Sequence, residues 1–509
     1  MGKKLLIFFL LFSTLQAVAS ADITPFCKSK TDNASTENIN NTKIKNIIVK
    51  VDNYRKWTRN SLNILIGNFR WIPKKFKKRF DAEIIVEYEN KLICSFDARI
   101  RNNGNQKDHI ALKGNSIIQS IDVHLKTGHI HGITKFKLLR PNTRGNFKDE
   151  ILLTELLREF NYLAPRTSYV DAKINDVESK MLFQEKPSNE LLEFNKRKEG
   201  PIFEGDERFM FRLAKDVPDN NLSNLSIGML PLVEKGINTM LARQINSEFN
   251  KNKEHSIISY NSLSKLNLVY LLYTNRYRDE KNNFDYSNYS LDNNLLALNK
   301  PKNVLKLDIY NLIVFAANGW HGLTPNNRKF YWNSIENFFE PINADTNANI
   351  ELETTVFHLP FSDQIEFAFN DLEKLLNGVD VKKFSQKITF RGLNLTEEQV
   401  GKKINKIKKN LFKLKTIYLK TDTEIIAYNR NNKIKKEMWN KYYESFNEIN
   451  PNIYLVKQSL KNNLFKRCEI KSFKCTDYKF NKNQLMNLVE GRLVINDREY
   501  QYVGKMYEF

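Results

Sequence analysis

Between residues 44 and 139 the apolar positions come in short runs. Asn46 to Val51, Ala82 to Tyr88, Leu92 to Ile100 and Ile117 to Leu125 alternate or cluster β-branched and apolar residues between Asn and Gly, the pattern of strands. Lys135 to Leu139 adds another, with Lys135 and Lys137 on one face and Phe136 and Leu138 on the other. The period then lengthens: Ile151, Leu152, Leu156 and Phe160 recur at helical spacing, which predicts a helix from Phe147 to Phe160 capped by Asn146. Tyr169 to Ile174 and Lys180 to Gln184 follow as two strands turning at Asn175-Asp176.

Further on, 229 to 248, 262 to 275 and 305 to 317 read as helices, then Lys329 to Trp332 and Phe338 to Ile342 as a pair of strands. Thr396-Glu397-Glu398-Gln399 is a capping box, and it opens a helix with Val400, Ile404, Ile407, Leu411, Leu414 and Tyr418 on one stripe. The other faces of that helix are dense in Lys, the composition of a solvated face or of a helix lying on an anionic surface. Residues 488 to 503 read as a terminal hairpin. The expected class is α+β: a β-rich region over 22–125, a two-lobed core over 126–380, and a helical, Lys-rich tail over 381–509.

The first 21 residues change the picture of where this fold works. Lys3 and Lys4, an apolar run from Leu5 to Phe12, and Ala19-Ser20-Ala21 before Asp22 form the three-part pattern of a cleavable signal peptide. The expectation is export to the periplasm or the exterior, with the mature chain starting at Asp22 and residues 31 to 42 as a polar lead-in. No later run reaches the roughly 20 apolar residues of a membrane helix. Cys27, Cys94, Cys468 and Cys475 make an even set, which suits one or two disulfides, with Cys468 and Cys475 the favoured pair.

Lys and Arg number 80 against 58 Asp and Glu, a formal charge of +22. Lys is spread over the whole chain, so solvated faces account for most of this charge, and nucleic acid is not the expected partner. The chain contains no G-x-x-x-x-G-K-[ST], G-x-G-x-x-G, G-x-S-x-G or H-E-x-x-H, which removes the commonest nucleotide, hydrolase and zinc-protease chemistries. His124, His129 and His131 lie close in sequence, and the last two would share a strand face as a metal pair or as plain polar strand-end residues.

The order of parts is more informative: a strand with inward lysines, a helix carrying Glu155, two strands, then helices, a polar loop and an acidic residue. Protein kinases are assembled in this order. Helix 305 to 317 runs into Trp320-His321-Gly322-Leu323-Thr324-Pro325-Asn326-Asn327-Arg328, and Glu340-Pro341-Ile342-Asn343-Ala344-Asp345 follows the second strand. A hairpin would return Asp345 to that loop, where its carboxylate and the Asn326 or Asn327 amide supply hard oxygen ligands for Mg²⁺. A polar turn between strands would use the same residues.

At these residues the sequence resembles the spore-coat CotH kinase-like proteins, a divergent branch of the protein-kinase-like fold. The resembling segments are Phe96 to Arg101 through Asp108-His109-Ile110, Phe136 to Pro141 with Arg144, Phe147 to Phe160, Ala164-Pro165-Arg166, Gln184-Glu185-Lys186 and His321 to Tyr331, within about 80–350. The resemblance implies ATP- and Mg²⁺-dependent phosphotransfer to a protein or envelope substrate. In it Lys137 is the nucleotide lysine, Glu155 its helix partner, Asn327 a metal ligand and Asp345 the principal Mg²⁺ carboxylate. Where many kinase-like loops carry a catalytic Asp after His-Gly this chain has Leu323, so the resemblance names no proton acceptor. Two other functions fit the same sequence: a kinase-like module that only binds, and a basic envelope protein contacting acidic glycans or lipid.

Overall fold

A computed structural model describes residues 27–29, 42–69, 72–206, 241–279, 291–354, 362–420, 453–458, 464–469 and 474–505. The expected signal peptide, nearly all of the expected 31–42 lead-in and most of the 229–248 helix expectation lie outside these residues. The described chain is a mixed α+β structure with several sheets, divided into two compact units: 1–140 with 169–183, and 141–168 with 184–509.

In the first unit β1 (Cys27–Ser29), β2 (Ile44–Val51), β3 (Phe80–Tyr88), β4 (Leu92–Asn102), β7 (Ile121–Leu125), β8 (Lys135–Leu139), β9 (Thr167–Ile174) and β10 (Val177–Glu185) form one sheet. Its order is β1-β4-β3-β2-β9-β10-β8-β7, and β7 pairs again with β4, so seven of the strands close into a barrel. Ile47, Val49, Ile84, Val86, Ile100, Val123, Phe136 and Leu138 fill the interior and are buried. Closure leaves no free sheet edge on those strands. The disulfide Cys27–Cys94 ties β1 to β4, whose facing residues they are. A hairpin of β5 (Ile110–Lys113) and β6 (Ser116–Gln119) packs with α1 (Tyr54–Ile66), whose Asn53 cap accepts from the Lys56 N–H.

Two expectations are adjusted here. Residues 117 to 125 form two strands in different sheets, and β8 is a barrel strand rather than the start of a separate core. The closed barrel does not clearly match the two-lobed core implied by the resemblance. Both differences rest on long-range pairings, β4 with β7 and parallel β2 with β9, which leave no local mark on the sequence.

The second unit begins with α2 (Phe147–Glu159), capped as expected by the Asn146 side chain. A four-stranded sheet, in the order β12 (Ala242–Gln244), β11 (Ile202–Gly205), β13 (Lys329–Asn333), β14 (Phe338–Ile342), packs with α4 (Lys253–Asp279), α5 (Asn293–Leu296) and α6 (Pro301–Ala316). The strand at 242–244 replaces the end of the helix expected over 229–248. Helices α7 (Ile365–Asn377), α8 (Val381–Phe390) and α9 (Glu397–Lys420) follow, and both bonds of the Thr396–Gln399 capping box form.

The expected helical tail is corrected beyond residue 453. There β15 (Ile453–Gln458), β16 (Phe465–Glu469), β17 (Cys475–Tyr478), β18 (Val494–Ile495) and β19 (Arg498–Lys505) make a five-stranded sheet, with α10 (Lys482–Val489) between β17 and β18. The terminal hairpin is present as β18–β19, but its longer strand also pairs in parallel with β15. Cys468 and Cys475 face each other across β16 and β17 and are bonded.

Candidate functional site

The β13–β14 hairpin is the anchor of the site. Phe330, Tyr331, Trp332, Phe338 and Phe339 are buried, so the apolar requirement of both strands fixes their register, Lys329 opposite Ile342 and Asn333 opposite Phe338. This register puts Asn326 and Asn327, just before β13, at the same end of the hairpin as Asn343 to Asp345, just after β14. Glu340 secures β14 from within: its buried carboxylate takes both Arg197 Nε and Nη2, Lys306 Nζ at 3.0 Å and Asn333 Nδ2 at 3.0 Å. Burial pushes that carboxyl up, but Arg197 and Lys306 overcome it and hold the group below the usual range.

The loop before β13 is fastened by its own side chains. Asn327 Nδ2 donates to His321 Nε2 at 3.0 Å, His321 O at 3.2 Å and Thr324 Oγ1 at 3.2 Å, and Tyr270 Oη donates to Pro325 O at 2.7 Å. Buried Arg328 donates to Asn311 Oδ1 at 2.9 Å. The Asn327 amide nitrogen is thereby committed to the loop, and Asn326 is half-buried beside it.

The segment after β14 is held from beneath by α2. Thr346 Oγ1 donates to Glu150 Oε2 at 2.6 Å, Asn146 N to Ala348 O at 3.2 Å and Ile350 N to Asp149 Oδ2 at 2.9 Å. The two loops touch at Gly322, where a Cβ would stand 2.7 Å from Thr346 Cγ2 and 3.1 Å from Ala344 O. Asp345 itself has φ +52°, a left-handed conformation that Asp tolerates better than most residues, and its carboxylate lies 3.0 Å from Arg144 Nη1. Arg144 is buried, while the Asp345 side chain is 37% exposed.

Glu150 completes the cluster, and its only mark in the sequence is an Asp-Glu pair in the first turn of α2. It is fully buried, and burial drives its carboxyl up; Arg144 and Thr346 oppose this, while Asp345 adds to it. Glu150 Oε1, Asn343 Oδ1 and Asn347 Oδ1 are buried oxygens without a donor, and Arg144 Nε has no acceptor. Acceptors left open on and beneath one loop suit a hard cation better than they suit a closed core. Among the described residues no group of three His, Cys, Asp or Glu side chains converges, so such a cation would depend on oxygen ligands from its substrate.

The other expected residues lie elsewhere in their units. Lys137 and Lys135 alternate with the fully buried Phe136 and Leu138 and so stand on the outer face of the barrel, not inward. The neighbour of Lys137 across the strand is Asp122, whose carboxylate meets Arg79 at 2.8 Å, Arg101 at 3.4 Å and His124 at 3.3 Å. Glu155 is buried on α2, where its Oε1 takes Arg158 Nη1 at 2.7 Å and Arg391 Nε at 2.8 Å. His129 and His131 occupy a tight turn instead of a strand face: Gly128, His131 and Gly132 have positive φ, and His129 Nδ1 accepts from Gly132 N. No protein-family model matches the chain, and no curated protein matches it.

Proposed function

We propose that this chain is an exported phosphotransfer protein of the CotH kinase-like kind, binding ATP with Mg²⁺ through the loops at the end of the β13–β14 hairpin. The observation that carries this reading is the cluster of Asp345, Arg144 and Glu150 beside the His321–Asn327 loop, with buried acceptor oxygens left open. Asp345 is the carboxylate exposed enough to reach a ligand, and Asn327, with Asn326, is the amide candidate opposite it. Arg144 aims and charge-balances Asp345, and Glu150 fixes Thr346 and so the loop backbone. Asp345 and the Asn327 or Asn326 amide would hold Mg²⁺, which would supply positive charge to offset that of the nucleotide phosphates. In the same reading the two-lobed kinase-like core is the parent architecture.

A second reading, a kinase-like module that binds nucleotide without transferring phosphate, is favoured by one feature. Residues 320 to 328 contain no carboxylate to accept a hydroxyl proton. Incubating the mature chain with γ-labelled ATP, Mg²⁺ and an envelope extract separates the two. Mg²⁺-dependent labelling that disappears in Asp345→Asn supports transfer. ATP binding with no labelling and no phosphate release supports the binding module.

A further inference from the structure

A cleft of about 450 Å³ lies within the second unit, walled by α2, the end of α3 (Asn189–Phe194) and α8. Its lining carries four cations, Arg158, Lys196, Lys387 and Arg391, and two carboxylates, Glu155 and Glu159. The pairing inside it is lopsided. Arg158 Nη1 and Arg391 Nε both converge on one oxygen, Glu155 Oε1, and Lys387 pairs with Glu159. Arg158 Nε is buried with no acceptor, and Lys196 is exposed at the rim with φ +56°, an unusual conformation for a long side chain. Two guanidiniums, their side chains only 15% and 11% exposed, therefore share a single carboxylate oxygen.

Crowded, largely desolvated guanidiniums with unused N–H donors are stabilised by an added anion, and their forked geometry fits phosphate oxygens. Four positive against two negative side chains leave an excess of two charges, which matches a dianion rather than a carboxylate. A phosphate monoester carries about −1.5 to −2 near pH 7. The cleft is larger than a bare phosphate needs and falls within the range of about 300–1,000 Å³ that small organic ligands occupy. Phe194 supplies an apolar wall: its ring is half exposed, and Arg158 and Arg166 stand over it at 5.0 and 4.2 Å from the ring centre.

We propose that this cleft binds a small phosphate monoester, its dianionic head taken by Arg158, Arg391, Lys196 and Lys387 and its organic part lying against Phe194. This inference is independent of the proposed phosphotransfer site, since neither Asp345 nor Arg144 takes part.

Phenyl phosphate is the direct probe, titrated by calorimetry into the full mature chain in EDTA, with phenyl sulfate and inorganic phosphate as comparisons. Phenyl phosphate should bind about tenfold or more tightly than either comparison, because only it offers both a dianion and a ring. The double variant Lys196→Gln, Lys387→Gln changes two exposed side chains and should weaken it about tenfold with an unchanged melting curve. Phe194→Ala should weaken phenyl phosphate but not inorganic phosphate, and Asp345→Asn should leave both unchanged. Absence of binding at about 10 mM, equal binding of phenyl sulfate, or full affinity in the double variant would overturn the proposal. Loss of binding in Asp345→Asn would also overturn it, by moving the phosphate to the other site.

Discussion

Arg144 Nη1 and Asp345 Oδ1 are 3.0 Å apart, a buried guanidinium holding a part-exposed carboxylate in place. The same guanidinium is the main counter-charge to fully buried Glu150. Arg144→Met should therefore strip two carboxylates of their cation and cost about 3–5 kcal/mol, the range for breaking a buried pair. Urea denaturation of parent and variant measures this, and an unchanged midpoint would show that Glu150 is neutral without Arg144.

Asp308 gives the fold a pH dependence of its own. Burial raises its carboxyl to about 6, against partial relief from Ser362 and Asn293. A carboxyl whose folded pKa lies above its unfolded value favours the folded state at low pH, and that contribution is lost as pH rises through the folded pKa. The loss attached to Asp308 should be about 2 kcal/mol between pH 4 and 7.5, and absent in Asp308→Asn. Unfolding free energies of both proteins at the two pH values test this; parallel profiles would contradict it.

The disulfides should contribute unequally. Cys27–Cys94 spans 67 residues and Cys468–Cys475 spans 7. Loop-closure entropy makes the longer link worth about 2 kcal/mol more. Paired Cys→Ser variants compared by denaturation without reductant should show that ranking, and the reverse ranking would refute it.

Gly322 is where the two site loops meet. A Cβ there would overlap Thr346 Cγ2 at 2.7 Å, so Gly322→Ala should shift the Asp345 loop at a stability cost of about 1–3 kcal/mol. Mg²⁺-dependent ATP affinity should fall about tenfold with it. Unchanged affinity would mean that the loop contact does not shape the nucleotide site.

Local chemistry carried much of this fold into view. Asn146 capping α2, the Asn175 turn, the Thr396–Gln399 box and the pairing of β13 with β14 each depend on residues close in sequence, and each is present as read. The hairpin in particular makes Asp345 and Asn327 neighbours of one hairpin end, because aromatic residues on both strands admit one register. The barrel closure and the β15–β19 pairing join distant segments with no local signature. The outward stance of Lys137 follows from its alternation with Phe136 and Leu138, because a closed barrel turns the apolar face inward and leaves the lysine face outside. Glu150 was hidden because a carboxylate in a first helical turn normally reads as an exposed partner of the helix dipole.

If Asp345 anchors Mg²⁺-dependent nucleotide binding as proposed, calorimetry of ATP binding to the chain from Asp22 onward, with Mg²⁺ and with EDTA, will show it. Asp345→Asn keeps an acceptor for Arg144 and removes the charge, so the fold should persist. ATP should bind the parent at millimolar or better affinity only when Mg²⁺ is present, and Asp345→Asn should lose this binding. Equal binding by the two proteins, or no binding by the parent up to about 10 mM ATP, would contradict it.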